Sequence, residues 1–388
     1  SKSCSASFPA RKARTRRNDS RLPHITCHPA SPMFSTTDEH HMQHALALGR
    51  RTLGATGSRP AVGCVIVRDG IVVGAGSTGE KGSPHAEAAA LAVAGEAARG
   101  ATVYVTLEPC SHHGATPPCA DALVAAGVAR AVVAVADPDP RVDGSGLKRL
   151  REAGIAVETG LLAKVARREL DGFLSRMTKG RPAVTLKMAV SADGMIARAP
   201  GERTAISGEQ ANARTHLMRA RSDAIMVGAN TVRVDDPSLT CRLPGLEHRT
   251  PIAVVVDGRL SIPASSQLVT HARQRPLLIL TSEDAENADL AANGVEIIRC
   301  DAMAPFRIRL SEGLLRLGQR GINSVMVEGG ADLARSLADE DLIDRVVLIA
   351  SRMPLGPQGV KAGIDVNAFR RVEQETLGED TLTIYEKA

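Results

Sequence analysis

The sequence predicts an α/β protein built from two domains. Its 388 residues are enough for two separate hydrophobic cores. In both halves, short apolar runs alternate with helical segments, which is typical of layered α/β domains. A polar helix predicted at residues 161–177 and the Lys179-Gly180-Arg181-Pro182 segment interrupt this alternation. We therefore predict a leader at residues 1–37, one domain at residues 38–178 and a second domain at residues 179–388.

The first domain is predicted to combine a hairpin with alternating helices and strands. An Asp69-Gly70 turn between two β-branched runs, 62–67 and 71–74, is a strong hairpin signal. The remaining predicted elements are an opening helix that includes residues 45–48, an Ala-rich helix at 85–98, a strand at 101–107, a helix near 119–127 and a strand at 130–136.

The second domain repeats the alternation without copying the first, and no internal repeat is evident. Its predicted strands are separated in several places by helical segments. These strands cover residues 183–190, 224–227, 252–256, 277–280, 295–298 and 324–327.

Charge and composition argue against nucleic-acid and membrane binding. The net charge is +5, but seven Lys or Arg and one Asp give residues 1–37 a charge of +6, which leaves −1 for the rest. The chain has no Trp, two Tyr and five Phe, so few aromatic faces are available for base stacking. No apolar run approaches the roughly 18 residues that a membrane span requires.

The leader and the cysteines bear on the cellular compartment. Residues 1–37 are rich in Arg and Ser and resemble an organelle transit peptide in composition. We predict that they are disordered, and we favour the alternative that they are a non-native leader, an over-extended or vector-derived start with Met33 as a plausible initiator. Seven scattered cysteines do not suggest a disulfide framework. We therefore expect a reducing, cytoplasmic location.

One His and two Cys have the spacing of a catalytic zinc site. Pro84-His85-Ala86-Glu87 opens a helix, Glu108-Pro109-Cys110 ends a strand, and Cys119 begins another helix. Three protein ligands leave the fourth position of tetrahedral zinc for water, which loses a proton near neutral pH. Glu87 can move that proton to a leaving amine. The His-x-Glu and Pro-Cys arrangement predicts hydrolytic deamination of a nitrogen heterocycle.

Two features of the first domain allow other interpretations. His112 or His113 could fill the fourth position and make the zinc structural, but Glu87 would then have no role. Gly74-Ala-Gly76-Ser-Thr-Gly79 matches a dinucleotide fingerprint, yet no helix is predicted to open at its third glycine. We interpret it as a glycine-rich turn, and Cys64 and Cys241 as buried small hydrophobic residues.

The segment Cys110-Ser-His-His-Gly-Ala-Thr-Pro-Pro-Cys119 closely resembles the bifunctional deaminase–reductase family of riboflavin biosynthesis, RibD or RibG. Asp137-Pro-Asp-Pro, Leu186-Lys187-Met-Ala-Val-Ser191 and Glu328-Gly329-Gly330 extend the resemblance, which covers about residues 38–388. It implies a cytidine-deaminase-like three-layer first domain and a second domain similar to dihydrofolate reductase. The implied reactions are zinc-dependent deamination of a phosphorylated diaminopyrimidine and NADPH-dependent reduction of its ribosyl group to ribityl.

The reductase residues rest mainly on this resemblance. A strand leading into Gly329-Gly330 and a helix can hold a cofactor phosphate, although close packing alone would also explain the glycines. Arg219 and Arg242 are candidates for the substrate phosphate, but alone each could be a surface arginine. The resemblance implies a cofactor side with Lys187, Ala189, Thr231, Asp235, Gly258, Gly329 and Gly330. On the substrate side it implies Asp137, Arg203, Arg219, Asp235, Leu239, Arg242 and Glu328.

The sequence departs from the family pattern around both predicted substrates. The deaminase differences lie at Arg59, Thr78, Ala115 and Asp139, where the family usually has Asn, His, Lys or Arg, and Asn. In the reductase, Arg203-Thr204-Ala205 replaces Ser-x-Trp. None of these changes affects the metal ligands or Glu87, so we expect the chemistry to be retained.

Three alternatives remain besides the bifunctional enzyme. One is a pyrimidine deaminase with a divergent or inactive reductase domain. The second is a nucleic-acid editing protein, which the near-neutral net charge of residues 38–388 argues against. The third is a non-catalytic zinc-stabilised module, in which Glu87 would have no role. We expect a small phosphorylated pyrimidine as the partner; the sequence is compatible with a homo-oligomer but does not set the oligomeric state.

Overall fold

The computed structural model describes residues 34–112, 117–140 and 142–387. The predicted leader, except for its last few residues, lies outside the described residues. A compact unit extends over Thr36–Ala388 and contains two principal sheets, each formed by its own half of the chain. Among the described residues, none of the helices has the length and apolar character needed to cross a membrane.

The first sheet contains five strands in the order β2-β1-β3-β4-β5. The β1–β2 and β1–β3 pairs are antiparallel, whereas β3, β4 and β5 run parallel. The strands are β1 (Gly63–Arg68), β2 (Ile71–Ser77), β3 (Thr102–Val105), β4 (Arg130–Val133) and β5 (Ala156–Thr159). The helices are α1 (Thr36–Arg50), α2 (Ala86–Ala94), α3 (Cys119–Ala126), α4 (Ser145–Glu152), α5 (Ala163–Glu169) and α6 (Asp171–Lys179).

The predicted hairpin is confirmed, and its turn has the expected backbone. Asp69 and Gly70 both have positive φ, at 52° and 77°, as a two-residue turn of type I′ requires. The single polar helix predicted at 161–177 is wrong, because the chain leaves helical geometry at Leu170 and forms α5 and α6 instead.

Glycines allow helices to pack closely on both faces of this sheet. A Cβ at Gly63 would lie 1.8 Å from the Ala45 carbonyl oxygen of α1. A Cβ at Gly76 would lie 2.6 Å from the Ala90 nitrogen of α2. Gly76 pairs with Cys64, the neighbour of Gly63, so the two glycines face opposite sides. Gly74 and Gly76 lie within β2 and serve helix packing, so the interpretation of this segment as a glycine-rich turn is wrong.

The second sheet contains nine strands in the order β11-β10-β9-β8-β14-β6-β15-β18-β17. Neighbours from β11 to β15 are parallel, and the last two pairs are antiparallel. Its first strands are β6 (Ala183–Val190), β8 (Ala224–Gly228), β9 (Ile252–Val256), β10 (Leu277–Ser282) and β11 (Glu296–Cys300). The others are β14 (Ser324–Val327), β15 (Arg345–Ala350), β17 (Arg370–Leu377) and β18 (Asp380–Glu386).

Six of these strands were predicted, to within a few residues, and β15, β17 and β18 were not. Four short strands pair outside the large sheet: β7 (Met195–Ala197) with β16 (Val360–Lys361), and β12 (Ala302–Ala304) with β13 (Arg307–Ile308). The helices are α7 (Glu209–Ala220), α8 (Ala229–Asp235), α9 (Gln267–Thr270), α10 (Ala288–Ala292), α11 (Leu310–Gln319) and α12 (Ala331–Asp339).

The central strands of the second sheet are buried on both faces. Alternate residues of β8 show this: Ala224 and Met226 join one hydrophobic core, while Ile225 and Val227 join the other. Such double burial explains why these strands were visible in the sequence as continuous apolar runs.

Candidate active sites

The three predicted metal ligands come together at the ends of three different elements. His85 precedes α2, Cys110 follows β3, and Cys119 is the first residue of α3. The ligand atoms of these residues lie within 4.8 Å of one another. The His85 Nδ1 atom is 3.6 Å from Cys110 Sγ and 3.3 Å from Cys119 Sγ.

These separations fit zinc. Sulfur at about 2.3 Å and nitrogen at about 2.1 Å from one tetrahedral centre lie roughly 3.5 Å apart. The hydrogen bond between the Cys110 and Cys119 side chains lowers the pKa of Cys110 and raises the pKa of Cys119, so one of the two sulfurs is readily available as a thiolate. His112 lies outside the cluster of possible ligands, although its neighbour His113 is not among the described residues. The described donors thus form a site with three protein ligands.

Glu87 lies in the first turn of α2, beside the metal ligands. Its side chain is buried, with 4% of the residue exposed. Burial raises the pKa of Glu87 to about 7. A carboxyl group with such a pKa can accept and return a proton near neutral pH.

A cavity of about 280 Å³ opens onto Glu87 and His85. Arg59, Asp137 and Asp139 line it, so three residues singled out in the sequence lie near the metal site. Thr78 also lines the cavity, but its hydroxyl donates to the Pro60 carbonyl and accepts the Val62 N–H. Thr78 therefore supports the cavity wall, and Ala115 is outside the described residues.

One wall of this cavity was missed in the sequence. Phe173, Arg176 and Met177 of α6 line it, although they belong to a segment that was interpreted as a domain boundary. Arg176 also donates to the Asn323 side chain of the second half at 2.6 Å. Its contacts depend on how the two halves pack, and no motif in the sequence signals that arrangement.

Glu108 organises the loop that carries Asp137. The buried Glu108 carboxylate accepts four backbone N–H groups, from Asp137, Gly144, Gly146 and Leu147, at 3.0–3.2 Å. A carboxylate with this many donors is hard to replace, because each buried N–H without a partner costs free energy. Glu108 thus connects the segment after β3, which holds Cys110, to the loop that carries Asp137.

We expect Glu108→Ala to lower the free energy of unfolding by about 3 kcal/mol, since four buried donors lose their acceptor. Ammonia release should fall with it, because Asp137 loses its support. Glu108→Gln is the matched variant and should lie between wild type and Glu108→Ala, since one oxygen remains to accept. Denaturant unfolding checks the prediction, and wild-type stability of Glu108→Ala would show that the loop does not need this carboxylate.

The predicted reductase residues gather at the carboxyl end of the parallel strands. Lys187 and Ala189 lie on β6, and Thr231 and Asp235 lie on α8 directly after β8. Glu328, Gly329 and Gly330 follow β14 and lead into α12. Ligands in open α/β sheets bind at this edge. The structure brings these residues together; their individual roles remain predictions.

A buried group of charges forms the centre of this edge. Arg219 donates through Nε and Nη2 to the two carboxylate oxygens of Glu328, both at 2.7 Å, and through Nη1 to the Thr240 carbonyl. Burial opposes the charge on Glu328, but Arg219 and Lys187 hold the pKa of this carboxyl below its usual value. Burial lowers the pKa of Lys187, and Glu328 counteracts part of that effect.

Other predicted reductase residues have different surroundings. Arg242 and Arg203 are exposed. Burial raises the pKa of Asp235, and the nearby charge of Arg203 opposes part of this shift. Leu239 is buried with a positive φ of 50°. A Cβ at Gly258 would lie 1.9 Å from the Phe306 carbonyl oxygen, so backbone packing alone requires a glycine there. Whether Gly258 also contacts a cofactor remains a prediction.

Comparison with known proteins tests these interpretations. A family model of the cytidine and deoxycytidylate deaminase zinc-binding region matches residues 35–135. A model of the RibD C-terminal domain matches residues 182–383. Riboflavin biosynthesis protein RibD of Escherichia coli (strain K12) is 41% identical over 364 residues, 88% of this chain and 97% of the relative. The chain belongs to the RibD family. RibD of Aquifex aeolicus (strain VF5) is 35% identical over 92% of this chain and all of its own length.

Solved structures give the same result for the fold. Acinetobacter baumannii RibD, form 1, superposes with a TM-score of 0.81 at 36% identity, over 91% of this chain and 99% of that one. A deaminase/reductase from Thermotoga maritima superposes with a TM-score of 0.80 at 32% identity, over 91% and 99% of the two chains. These RibD relatives confirm the predicted fold class, a cytidine-deaminase-like domain followed by a RibD reductase domain.

RibD membership also confirms the predicted activity at the level of reaction type. The protein is a bifunctional enzyme with a zinc-binding deaminase domain and an NADPH-dependent reductase domain. The His85, Cys110 and Cys119 cluster supplies the donors that the zinc-binding region needs.

Proposed function

We propose that the first domain deaminates 2,5-diamino-6-(5-phosphoribosylamino)pyrimidin-4-one and that the second domain reduces the ribosyl side chain of the product to ribityl. The Thermotoga maritima relative bears the name diaminohydroxyphosphoribosylaminopyrimidine deaminase/5-amino-6-(5-phosphoribosylamino)uracil reductase. The observation that carries the first half is Glu87, buried beside three zinc donors in a cavity of about 280 Å³. We place the domain boundary at residues 178 and 179, and the protein in the cytoplasm.

In the deamination, water adds to the ring carbon and ammonia leaves, so one proton must move from the water to the amine. When bound, zinc supplies a Lewis acid that makes water a nucleophile near neutral pH. Glu87 accepts the proton and returns it to the leaving amine, which its raised pKa permits. Asp137 lines the same cavity and can orient the ring by accepting hydrogen bonds from its N–H groups.

Arg59 compensates for the cation that the family carries between the two cysteines. It lines the deaminase cavity, and its charge is close enough to lower the pKa of His85 against the stronger effect of Cys110. A guanidinium group in this position can bind the substrate phosphate. Although Ala115 lacks the cation of the family, Arg59 therefore keeps a positive charge beside the deaminase substrate.

In the reduction, an open-chain aldehyde or imine gains a hydride and a proton. NADPH, when bound, supplies the hydride. Lys187 is close enough to Glu328 and Arg219 for their charges to act on its pKa, and it can donate the proton. Two hydrogen bonds from Arg219 hold the Glu328 carboxylate in place. The exposed Arg242 can bind the substrate phosphate.

The proposal is tested by giving the enzyme the phosphorylated diaminopyrimidine and measuring ammonia and NADPH separately. We expect one ammonia released and one NADPH oxidised per substrate, with ammonia appearing when NADPH is omitted. Ammonia release without any NADPH oxidation would support a deaminase with an inactive reductase domain. Absence of both activities would contradict the proposed substrate.

A further inference from the structure

A second and larger cavity lies between the deaminase and reductase halves. Its volume is about 560 Å³, within the range that small-molecule ligands occupy. It touches the deaminase cavity, because Arg59, Pro60 and Phe173 line both. Nothing in the deamination or the reduction proposed above uses the rest of its lining.

The cavity begins at the amino ends of the reductase strands, whereas the predicted reductase residues lie toward their carboxyl ends. Ser324 at the start of β14 and Asp223 just before β8 line it, and so do Thr185 on β6 and Met326 on β14. Since a strand advances about 3.3 Å per residue, this lining comes to within about 7 Å of Lys187 and Glu328 along the two strands.

Three arginines from both halves of the chain line one side of this cavity. Arg50 ends α1, Arg214 lies on α7, and Arg221 follows the end of α7. The two halves approach closely here, because a Cβ at Gly54 would lie 2.7 Å from the Ala220 carbonyl oxygen. Arg249 donates to the Arg51 carbonyl at 2.6 Å and adds a fourth positive charge nearby.

Two of these three guanidinium groups lack a close acidic partner, although Glu169, Asp171, Asp223 and Glu373 also line the cavity. Arg50 pairs with Glu169 at 2.7 Å. Arg214 Nε lies 3.5 Å from a Glu375 oxygen, yet this buried nitrogen makes no hydrogen bond. Among the described residues, the Arg221 side chain has neither a hydrogen bond nor an ion pair. Burial lowers the pKa of Arg221, and the charge of Arg214 lowers it further.

The guanidinium group of arginine does not lose its proton in proteins, so Arg214 and Arg221 stay positively charged. A bound anion would neutralise this charge. Phosphate is the anion that guanidinium groups bind best, through paired N–H donors. Met218, Leu382 and Ile384 give the lining an apolar part, and Met218 lies beside Arg214, four residues further along α7. A ligand that fits this lining carries a phosphate and a flat or chain-like apolar part.

We propose that the cavity between the two halves is a binding site for a phosphomonoester with an apolar ring, distinct from both catalytic sites. Arg221 and Arg214 hold the phosphate, and Arg50 contributes from the deaminase half. The apolar part lies against Met218 and Leu382. Because the ligand contacts both halves, its binding stabilises their arrangement.

The test uses the full chain and para-iodophenyl phosphate, whose iodine locates it in crystals by anomalous scattering. We expect iodine in this cavity, with the phosphate against Arg214 and Arg221. In solution, Arg221→Gln should weaken binding at this site roughly tenfold or more, since hydrogen bonds between charged groups are the strong ones. Arg320→Gln, at a surface arginine paired with Glu296, is the matched control and should bind as wild type does.

Folding should not obscure this result. Arg221 has no ion pair to lose, so Arg221→Gln should unfold at the wild-type denaturant concentration or above it, and Arg214→Gln provides a second variant. Iodine found only in the two catalytic sites would overturn the proposal. So would equal affinity in wild type, Arg221→Gln and Arg214→Gln, or a change of oligomeric state in place of ligand binding, which would show that a second copy covers the cavity.

Discussion

Glu87→Gln is expected to abolish ammonia release while zinc stays bound and the reductase continues to oxidise NADPH on deaminated substrate. Glutamine keeps the size of the side chain but cannot carry a proton from water to the amine. General acid–base groups contribute about 10² to 10⁴ in rate, and here one residue serves both steps, so the loss should lie at the upper end. The ligands His85, Cys110 and Cys119 are untouched by the change.

The measurement follows ammonia, NADPH and bound zinc in the same preparation of Glu87→Gln. Glu96→Gln is a matched control, since Glu96 lies in the short helical turn after α2 and outside the cavity. Loss of both activities in Glu87→Gln would count against two independent sites. Undiminished ammonia release would remove Glu87 from the mechanism.

Glu328→Gln is expected to give the opposite pattern, with NADPH oxidation lost and ammonia release retained. The substitution removes the carboxylate that Arg219 binds and whose charge supports the Lys187 ammonium, in a pair with side chains only 12% and 15% exposed. Breaking a buried ion pair from one side costs about 3–5 kcal/mol, so we also expect a clear loss of stability in the reductase domain.

The matched control is Glu296→Gln, which removes the carboxylate of a surface pair with Arg320. That pair is largely solvated, so its loss should change the free energy of unfolding by about 1 kcal/mol or less. Denaturant unfolding and the two activity assays together check the pair of variants. Normal NADPH oxidation in Glu328→Gln would show that the predicted reductase site is elsewhere.

The zinc donors could be predicted from the sequence because their chemistry limits both residue type and position. His85 directly precedes α2 and Glu87 lies in its first turn, while Pro109-Cys110 lies in the segment after β3. The hairpin at Asp69-Gly70 was visible for the same reason, since its turn type requires residues that accept positive φ. In both cases the determining contacts are local.

The interactions that depend on packing between distant segments could not be predicted. Arg176 lines the deaminase cavity from α6, where it donates to the Ser58 carbonyl and to the Asn323 side chain of the second half. Arg219 was expected to hold substrate phosphate, but the structure engages three of its donors with Glu328 and Thr240. Its contribution to phosphate binding remains a prediction.

The strands that escaped prediction also have a physical explanation. β17 is an edge strand whose residues are mostly exposed, so its sequence lacks the apolar alternation of a half-buried strand. β18 pairs with it and contributes Leu382 to a small core beneath α7. Their pairing depends on a hairpin at the far edge of the sheet.

The most direct test of the account is the metal content and coordination shell of the purified protein. X-ray absorption at the zinc edge should show one zinc per chain, bound by two sulfurs and one imidazole nitrogen from the protein. Replacing Cys119 by Ser should reduce the zinc content and ammonia release together. Protein without stoichiometric zinc, or a shell filled by four protein side chains, would contradict the catalytic role assigned to this site.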